Sequence, residues 1–191
     1  MELDESPLSL AEIEELAQRI DRPVVLVGLM GVGKSSIGRK LASALHMPFV
    51  DADEEIENAA QMSISEIFAQ FGEAYFRDGE RRVIARLIDG PGTRRIIATG
   101  GGAFVNDETR ALILDKAVAV WLDSDIDVLV DRVGRKDTRP LLRNGDPHEI
   151  LTRLKAERDP AYAQAPIKVK SSTGPQSRTV ARVLKGIAEW L

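Results

Sequence analysis

A chain of 191 residues in which 43% of side chains are hydrophobic and 29% charged is sized for one domain with a substantial core, which excludes a disordered chain. A formal net charge of -4 makes a nucleic-acid or anionic-membrane binder a poor fit, so neither is expected as a partner. The absence of cysteine removes disulfides, thiolate metal sites and thiol nucleophiles, and two well-separated histidines, His46 and His148, offer no histidine metal site.

No apolar run approaches the ~20 residues of a membrane span. The first ten residues are acidic and lack the basic start of a targeting peptide, so a cytoplasmic protein is expected. Residues 1–22 read as an N-terminal helical extension to a domain spanning 23–191. Ser9 and Glu12 fit a capping box, and Leu10, Ile13, Leu16 and Ile20 recur at helical spacing, as in a short amphipathic helix lying on the domain surface. Pro23 then opens the unalternating apolar run 24–27, a strand buried on both faces. The spacing predicts a helix over 34–46 and a second strand at Phe49 and Val50, ending in Asp51-Ala52-Asp53. Helical spacing returns over 54–60, over 64–68 with Gly72 as its stop, and over 73–89 up to Gly90-Pro91-Gly92. A third strand, 96–98, runs into Gly100-Gly101-Gly102. A helix near 107–115, a fourth strand at 118–122 and a helix at 125–133 follow. The stretch 134–147 is rich in Gly, Pro, Arg, Asn and Asp and reads as a mobile loop. A helix over 148–158, a weaker fifth strand at 167–169 and a closing helix over 177–190 complete the chain. Strands alternating with helices predict parallel βαβ units in a three-layer α/β domain, without repeat or linker.

The first strand ends in Gly28-Leu29-Met30-Gly31-Val32-Gly33-Lys34-Ser35, which matches G-x-x-x-x-G-K-[ST]. Glycines let the backbone curl so that successive N–H groups cradle phosphate oxygens, and the following helix adds its positive end. Lys34 can reach the β- and γ-phosphates and the Ser35 hydroxyl can ligate Mg²⁺. The expected nucleotide contacts are Gly31, Val32, Gly33, Lys34, Ser35 and Ser36. The plain alternative, a glycine-rich turn with a surface lysine, does not explain a buried strand before the loop and a helix after it.

The motif alone says only nucleoside triphosphate. A GTPase reading fails, because Asp89-Gly90-Pro91-Gly92 ends a helical pattern and no N-K-x-D occurs. The third strand ends in Thr99, so a carboxylate for Mg²⁺ must come from elsewhere. Asp51 and Asp53 stand two apart at a strand end and can project to one side. One would orient metal-bound water and the other would take the proton of an attacking hydroxyl. The alternative for Asp53 is helix capping. Arg77, Arg132, Arg139 and Arg158 offer forks that suit a small anionic substrate, although any one of them alone reads as a solvated surface residue.

Taken together, the phosphate loop, F-V-D-A-D at 49–53, F-R at 76–77 with Glu80, G-G-G at 100–102, R-P-L-L at 139–142 and E-R-D-P-A-Y at 157–162 resemble the shikimate kinase family over about residues 23–190. The resemblance implies a P-loop kinase fold with a five-stranded parallel sheet in order 2-3-1-4-5, flanking helices and a mobile lid at about 134–147. It implies transfer of the γ-phosphate of ATP to the 3-hydroxyl of shikimate in aromatic amino-acid biosynthesis, with Mg²⁺. By position, Asp53 would contact the shikimate hydroxyls and act as the base. Arg77 and Arg158 would grip its carboxylate. Gly100, Gly101 and Gly102 would let backbone approach the ring, and Phe68, Phe76 and Glu80 would shape the pocket. Asp51 would hold Mg²⁺ through water beside Ser35, Arg139 would reach the transferring phosphate and Arg132 would lie against adenine. ATP and shikimate are then the expected partners of a monomer. The chain departs from the family pattern in its first 22 residues, in P-A-Y where P-L-Y is common, and near 172–177, where the adenine side matches loosely. Two rivals remain. A gluconate or nucleoside-monophosphate kinase is opposed by G-G-G, F-R and E-R-x-P-x-Y, and a nucleotide-binding module without transfer is opposed by the paired aspartates.

Overall fold

A computed structural model describes residues 6–135, 142 and 144–191. Five strands form one sheet: β1 (Val24–Val27), β2 (Phe49–Asp51), β3 (Ile96–Ala98), β4 (Val118–Asp123) and β5 (Ile167–Lys170). Their order is β2-β3-β1-β4-β5 and every pairing is parallel. The helices between them are α2 (Lys34–Ala44), α3 (Ala52–Ala60), α4 (Ile64–Asp89), α5 (Asp107–Lys116), α6 (Ile126–Gly134) and α7 (Pro147–Tyr162). The chain begins with α1 (Leu10–Arg19) and closes with α8 (Gln176–Trp190).

The central strand shows why the sheet reads so clearly. All four residues of β1 are buried with no measurable exposure, because helices cover both faces. The edge strand β5 instead alternates, with Ile167 and Val169 buried and Lys168 and Lys170 exposed, which is why its sequence signal is weak. In register, Leu26 of β1 and Asp51 of β2 both stand beside Ala98 of β3. The carboxyl ends of these three strands therefore share one edge, the edge where an open parallel sheet binds its ligands.

The break expected at Gly72 is present: α4 consists of two helical segments on either side of a kink at that residue, whose backbone is not helical (φ 80°, ψ 176°). Only a residue without Cβ tolerates that backbone freely, so the glycine stops the first segment and the chain turns into the second. Two other elements differ from the sequence expectation. Helix α7 continues through Pro160 to Tyr162 instead of stopping at 158. The proline costs one backbone bond, and the burial of Tyr162 offsets that loss. The capping box of α1 forms as expected, with Ser9 accepting from the Glu12 N–H. Its apolar face starts late, however: Leu10 is 82% exposed, whereas Leu16 and Ile20 enter the main core. Arg94, just before β3, donates to the Ala17 carbonyl and ties α1 to the sheet.

Candidate active site

The glycine loop between β1 and α2 is shaped by backbone that L side chains rarely adopt, with φ of 139°, 81° and 101° at Gly28, Gly31 and Gly33. At Gly28 space also forbids a side chain, because a Cβ there would lie 2.3 Å from the Leu122 carbonyl oxygen. Lys34 opens α2 at its positive end and is only 8% exposed. Its Nζ donates to the carbonyls of Gly28 (2.7 Å) and Leu29 (2.9 Å), bracing the loop from inside. The Ser35 hydroxyl donates to Asp51 Oδ2 at 2.5 Å.

Asp51 also caps α3, since its Oδ1 accepts from the Asp53 N–H at 3.0 Å. Helix capping, set against function for Asp53, thus falls to Asp51 and leaves the Asp53 carboxylate free of that role. A cavity of about 920 Å³ joins these groups. Gly31, Val32, Gly33, Lys34, Ser35 and Ser36 line its floor, and Asp51, Asp53, Thr99, Gly100 and Gly101 line its inner wall. Arg132, Ser171 and Ser172 also line it. Arg132 bridges the loop and the end of β5: it donates to Val32 O (3.1 Å), Gly31 O (3.4 Å), Ser171 Oγ (3.2 Å) and Ser172 O (2.8 Å). Its guanidinium is thereby fixed between the glycine loop and the residues that follow β5.

Beyond Asp53, the three consecutive glycines each back onto a different charged side chain. A Cβ at Gly100 would lie 3.0 Å from both Asp53 Oδ1 and Glu80 Oε1. One at Gly101 would lie 3.1 Å from Arg158 Nη1, and one at Gly102 only 2.4 Å from Arg77 Nη2. Arg77 pairs with Glu80 Oε2 at 2.8 Å and lies over the Phe76 ring at 5.1 Å. Phe76 packs on Phe68 with ring centroids 4.7 Å apart. Asp53, Arg77, Glu80, Arg158, both phenylalanines and the glycine turn are therefore brought together. Arg139, with residues 136–141 and 143 of the expected lid, lies outside the described residues.

Burial pushes the Asp53 carboxyl up to about 6, assisted by the Asp51 and Glu80 charges and opposed by Lys34. Burial also raises Glu80, against the pull of Arg77. Glu80 Oε1 is buried and has no hydrogen-bond partner among the described residues. An acceptor hydroxyl entering beside Asp53 would supply one. Tyr162 is a site residue to which sequence reasoning gave no role. It is fully buried and its hydroxyl donates to the Gly101 carbonyl, fixing the turn. Burial raises its hydroxyl to about 12, so it stays a donor. Its place in E-R-D-P-A-Y was the available signal. Thr99 stands where a carboxylate would serve Mg²⁺, and its hydroxyl donates to Leu26 O at 2.9 Å and locks β3 to β1 beneath the site.

The glycine turn makes a direct prediction. In Gly102→Ala the new methyl must displace the Arg77 guanidinium from its Glu80 bond. The KM of the acceptor is expected to rise about ten-fold while that of the nucleotide holds, since a 1 Å misplacement is enough for such losses. Steady-state kinetics with each substrate varied in turn checks this.

A glycine loop that opens a helix at the carboxyl edge of a parallel sheet, with Asp51 and Asp53 lining the same cleft, has the architecture of a P-loop phosphotransferase of small molecules. The chain belongs to the shikimate kinase family, whose family model matches residues 30–188. A shikimate kinase from Novosphingobium aromaticivorans is 63% identical over 193 residues, covering 100% of both chains. The structure of shikimate kinase from Acinetobacter baumannii in complex with shikimate superposes with a TM-score of 0.84 at 31% identity, over 95% of this chain and 98% of that one. A gluconokinase from Sinorhizobium meliloti reaches a TM-score of 0.54 at 20% identity, over 90% and 94% of the two chains, a likeness of fold alone.

Proposed function

We propose that the protein transfers the γ-phosphoryl group of ATP to the 3-hydroxyl of shikimate. Family membership supports the reaction, and one observation supports its placement here: Gly100, Gly101 and Gly102 back onto Asp53, Arg158 and Arg77 in turn, so a carboxylate and two guanidiniums gather around one glycine turn beside the phosphate loop. An acceptor with vicinal hydroxyls and a carboxylate meets all three.

In the proposed reaction, the acceptor oxygen bonds to the γ-phosphorus as the bond from that phosphorus to the β–γ bridging oxygen breaks. Asp53 orients the acceptor hydroxyl and accepts its proton. Arg77, held by Glu80, and Arg158 grip the carboxylate. Lys34, together with Arg139 of the lid, neutralises charge on the transferring group. The adjacent Ser35 hydroxyl and Asp51 carboxylate are hard oxygen donors that suit Mg²⁺, which in such sites takes one or two protein oxygens and completes its shell with water and phosphate. When bound there, Mg²⁺ would offset the negative charge of the β- and γ-phosphates. Closure of 134–147 would exclude water and limit ATP hydrolysis.

Among the described residues no helix is long and apolar enough to cross a membrane. A monomer acting in the cytoplasm, with only small-molecule partners, is the reading we attach to this site. The deciding assay is ADP release on adding shikimate to protein, ATP and Mg²⁺. Gluconate or a nucleoside monophosphate serving in its place would overturn the acceptor, and nucleotide binding without acceptor-dependent ADP release would overturn transfer itself.

Arg77→Ala is expected to raise the shikimate KM by about ten- to a hundred-fold and leave the ATP KM nearly unchanged, because a bidentate charge-assisted contact to the acceptor is lost. Equal effects on both substrates would remove Arg77 from the acceptor site.

A further inference from the structure

Arg158 has to be held from behind. Among the described residues the ion pairs of α7 are those of His148, Arg153 and Lys155, and Arg158 makes none. Its guanidinium instead hydrogen-bonds the Tyr162 hydroxyl one turn further along the same helix and feels the Glu80 charge, so its place follows where the end of α7 lies. Two anchors fix the end of that helix. The first is the Tyr162 hydroxyl on the Gly101 carbonyl. The second, one turn before Arg158, is a charge cluster away from the reacting groups. Lys155 Nζ lies 2.5 Å from Asp123 Oδ1, at the end of β4, and 2.8 Å from Asp159 Oδ2. Asp123 Oδ1 also accepts from the Ser124 N–H at 2.9 Å, and its Oδ2 pairs with Lys168 at 3.2 Å. The Trp121 ring stands among them, 5.7 Å from Lys155 and 5.9 Å from the Tyr162 ring.

Helical spacing makes this arrangement a clamp. From 155 to 158 or 159, and from either of these to 162, the step is three or four residues, so the four positions follow one side of α7. Lys155 grips β4 at one end of that stripe, Tyr162 grips the glycine turn at the other, and Arg158 lies between them. Lys155 and Asp123 have side chains only 23% and 17% exposed, so the pair is shielded from much of the screening that makes surface pairs weak. The cluster also depends on Lys155. Asp159 Oδ1 is buried without a hydrogen-bond partner among the described residues, and Lys155 supplies the charge that Asp159 pairs with. Removing that cation leaves Asp159 without its ion-pair partner and Asp123 with Lys168 alone, which unties α7 from β4 and favours a shift of the helix.

We infer that Lys155, through Asp123 and Asp159, is a positioning residue that holds Arg158 at the acceptor carboxylate. This rests on the functional reading above and extends it to residues that touch neither substrate.

The test uses the full chain with shikimate and ATP varied separately. Lys155→Met keeps an unbranched stem of similar length and removes the charge. It is expected to raise the shikimate KM about ten-fold while the ATP KM stays within about two-fold, as when an orienting partner rather than a contact is lost. Lys155→Arg, which can still bridge the two aspartates, should recover most of the wild-type shikimate KM. Lys168→Ala, which removes a cation from Asp123 without touching α7, should leave both constants unchanged. A folded Lys155→Met protein with an unaltered shikimate KM, or with both KM values rising together, overturns the positioning role. If Lys155→Met does not fold, Asp123→Asn must show the same split, and an unchanged shikimate KM there overturns it equally. Wild-type protein that releases no ADP on adding shikimate would instead sink the functional reading, a result distinct from either of these.

Discussion

Replacing Asp53 with Asn is expected to cut turnover by roughly 10²- to 10⁴-fold while raising the melting temperature of the ligand-free, metal-free protein. The two effects share one cause. Asp53 is driven into a shielded site beside Asp51 and Glu80, and its carboxyl titrates near 6. The unfolded chain holds such a group near ~3.9. The fold therefore favours the protonated form. The stability that this group contributes is complete below the unfolded value and is lost as pH rises through about 6. At neutral pH the ionised carboxylate is a burden on the fold. Asparagine keeps the shape, removes the charge and relieves the repulsion. It cannot accept the proton of an acceptor hydroxyl, so turnover falls. Thermal melting at pH 7 and at pH 4 separates the contributions: the stabilisation should be clear at pH 7 and shrink at pH 4. A variant that lost turnover and stability together at pH 7 would show that Asp53 is a structural residue instead.

That trade between stability and chemistry bears on what a sequence reveals. The loop 28–35 was legible because its chemistry is contiguous: the glycines, Lys34 and Ser35 adjoin in the chain and act together in space. The sheet was legible because β1 is covered on both faces and therefore apolar throughout. The break at Gly72 was legible too, since a glycine there permits the non-helical backbone. The alternation of β5 reads less clearly, being a compromise between burial and an exposed edge. The order of the strands came from the family resemblance. Alternating strands and helices predict parallel units without saying which strand is central. Contacts across the chain were the hardest to see. The division of labour by which Asp51 both caps α3 and binds Ser35 depends on the exact end of β2. Arg132 reaches loop carbonyls about a hundred residues away, and nothing in its neighbourhood announces this. Lys155 and Asp123 are separated by 32 positions and look like two ordinary surface charges until the fold joins them.

Lys34→Met is expected to lower kcat on the order of a thousand-fold with a much smaller change in affinity for ADP, the scale seen when one preorganised electrostatic donor is removed. Methionine preserves most of the apolar stem in a site where the lysine is only 8% exposed, so little cavity is opened. The ammonium has two functions here that the kinetics can separate. In the ligand-free chain it binds the Gly28 and Leu29 carbonyls and holds the loop in its left-handed curl. During transfer the same charge can turn to phosphate oxygens, where negative charge gathers only as the reaction proceeds. If the first function dominates, ADP affinity falls with kcat, because the backbone N–H cradle loosens. If the second dominates, ADP binding survives and turnover does not, since interactions made in the transition state alone act on kcat. The left-handed glycines carry the curl in their own backbone, which favours the second outcome. ADP titration beside steady-state rates decides between them, and wild-type turnover in Lys34→Met would overturn the nucleotide site altogether.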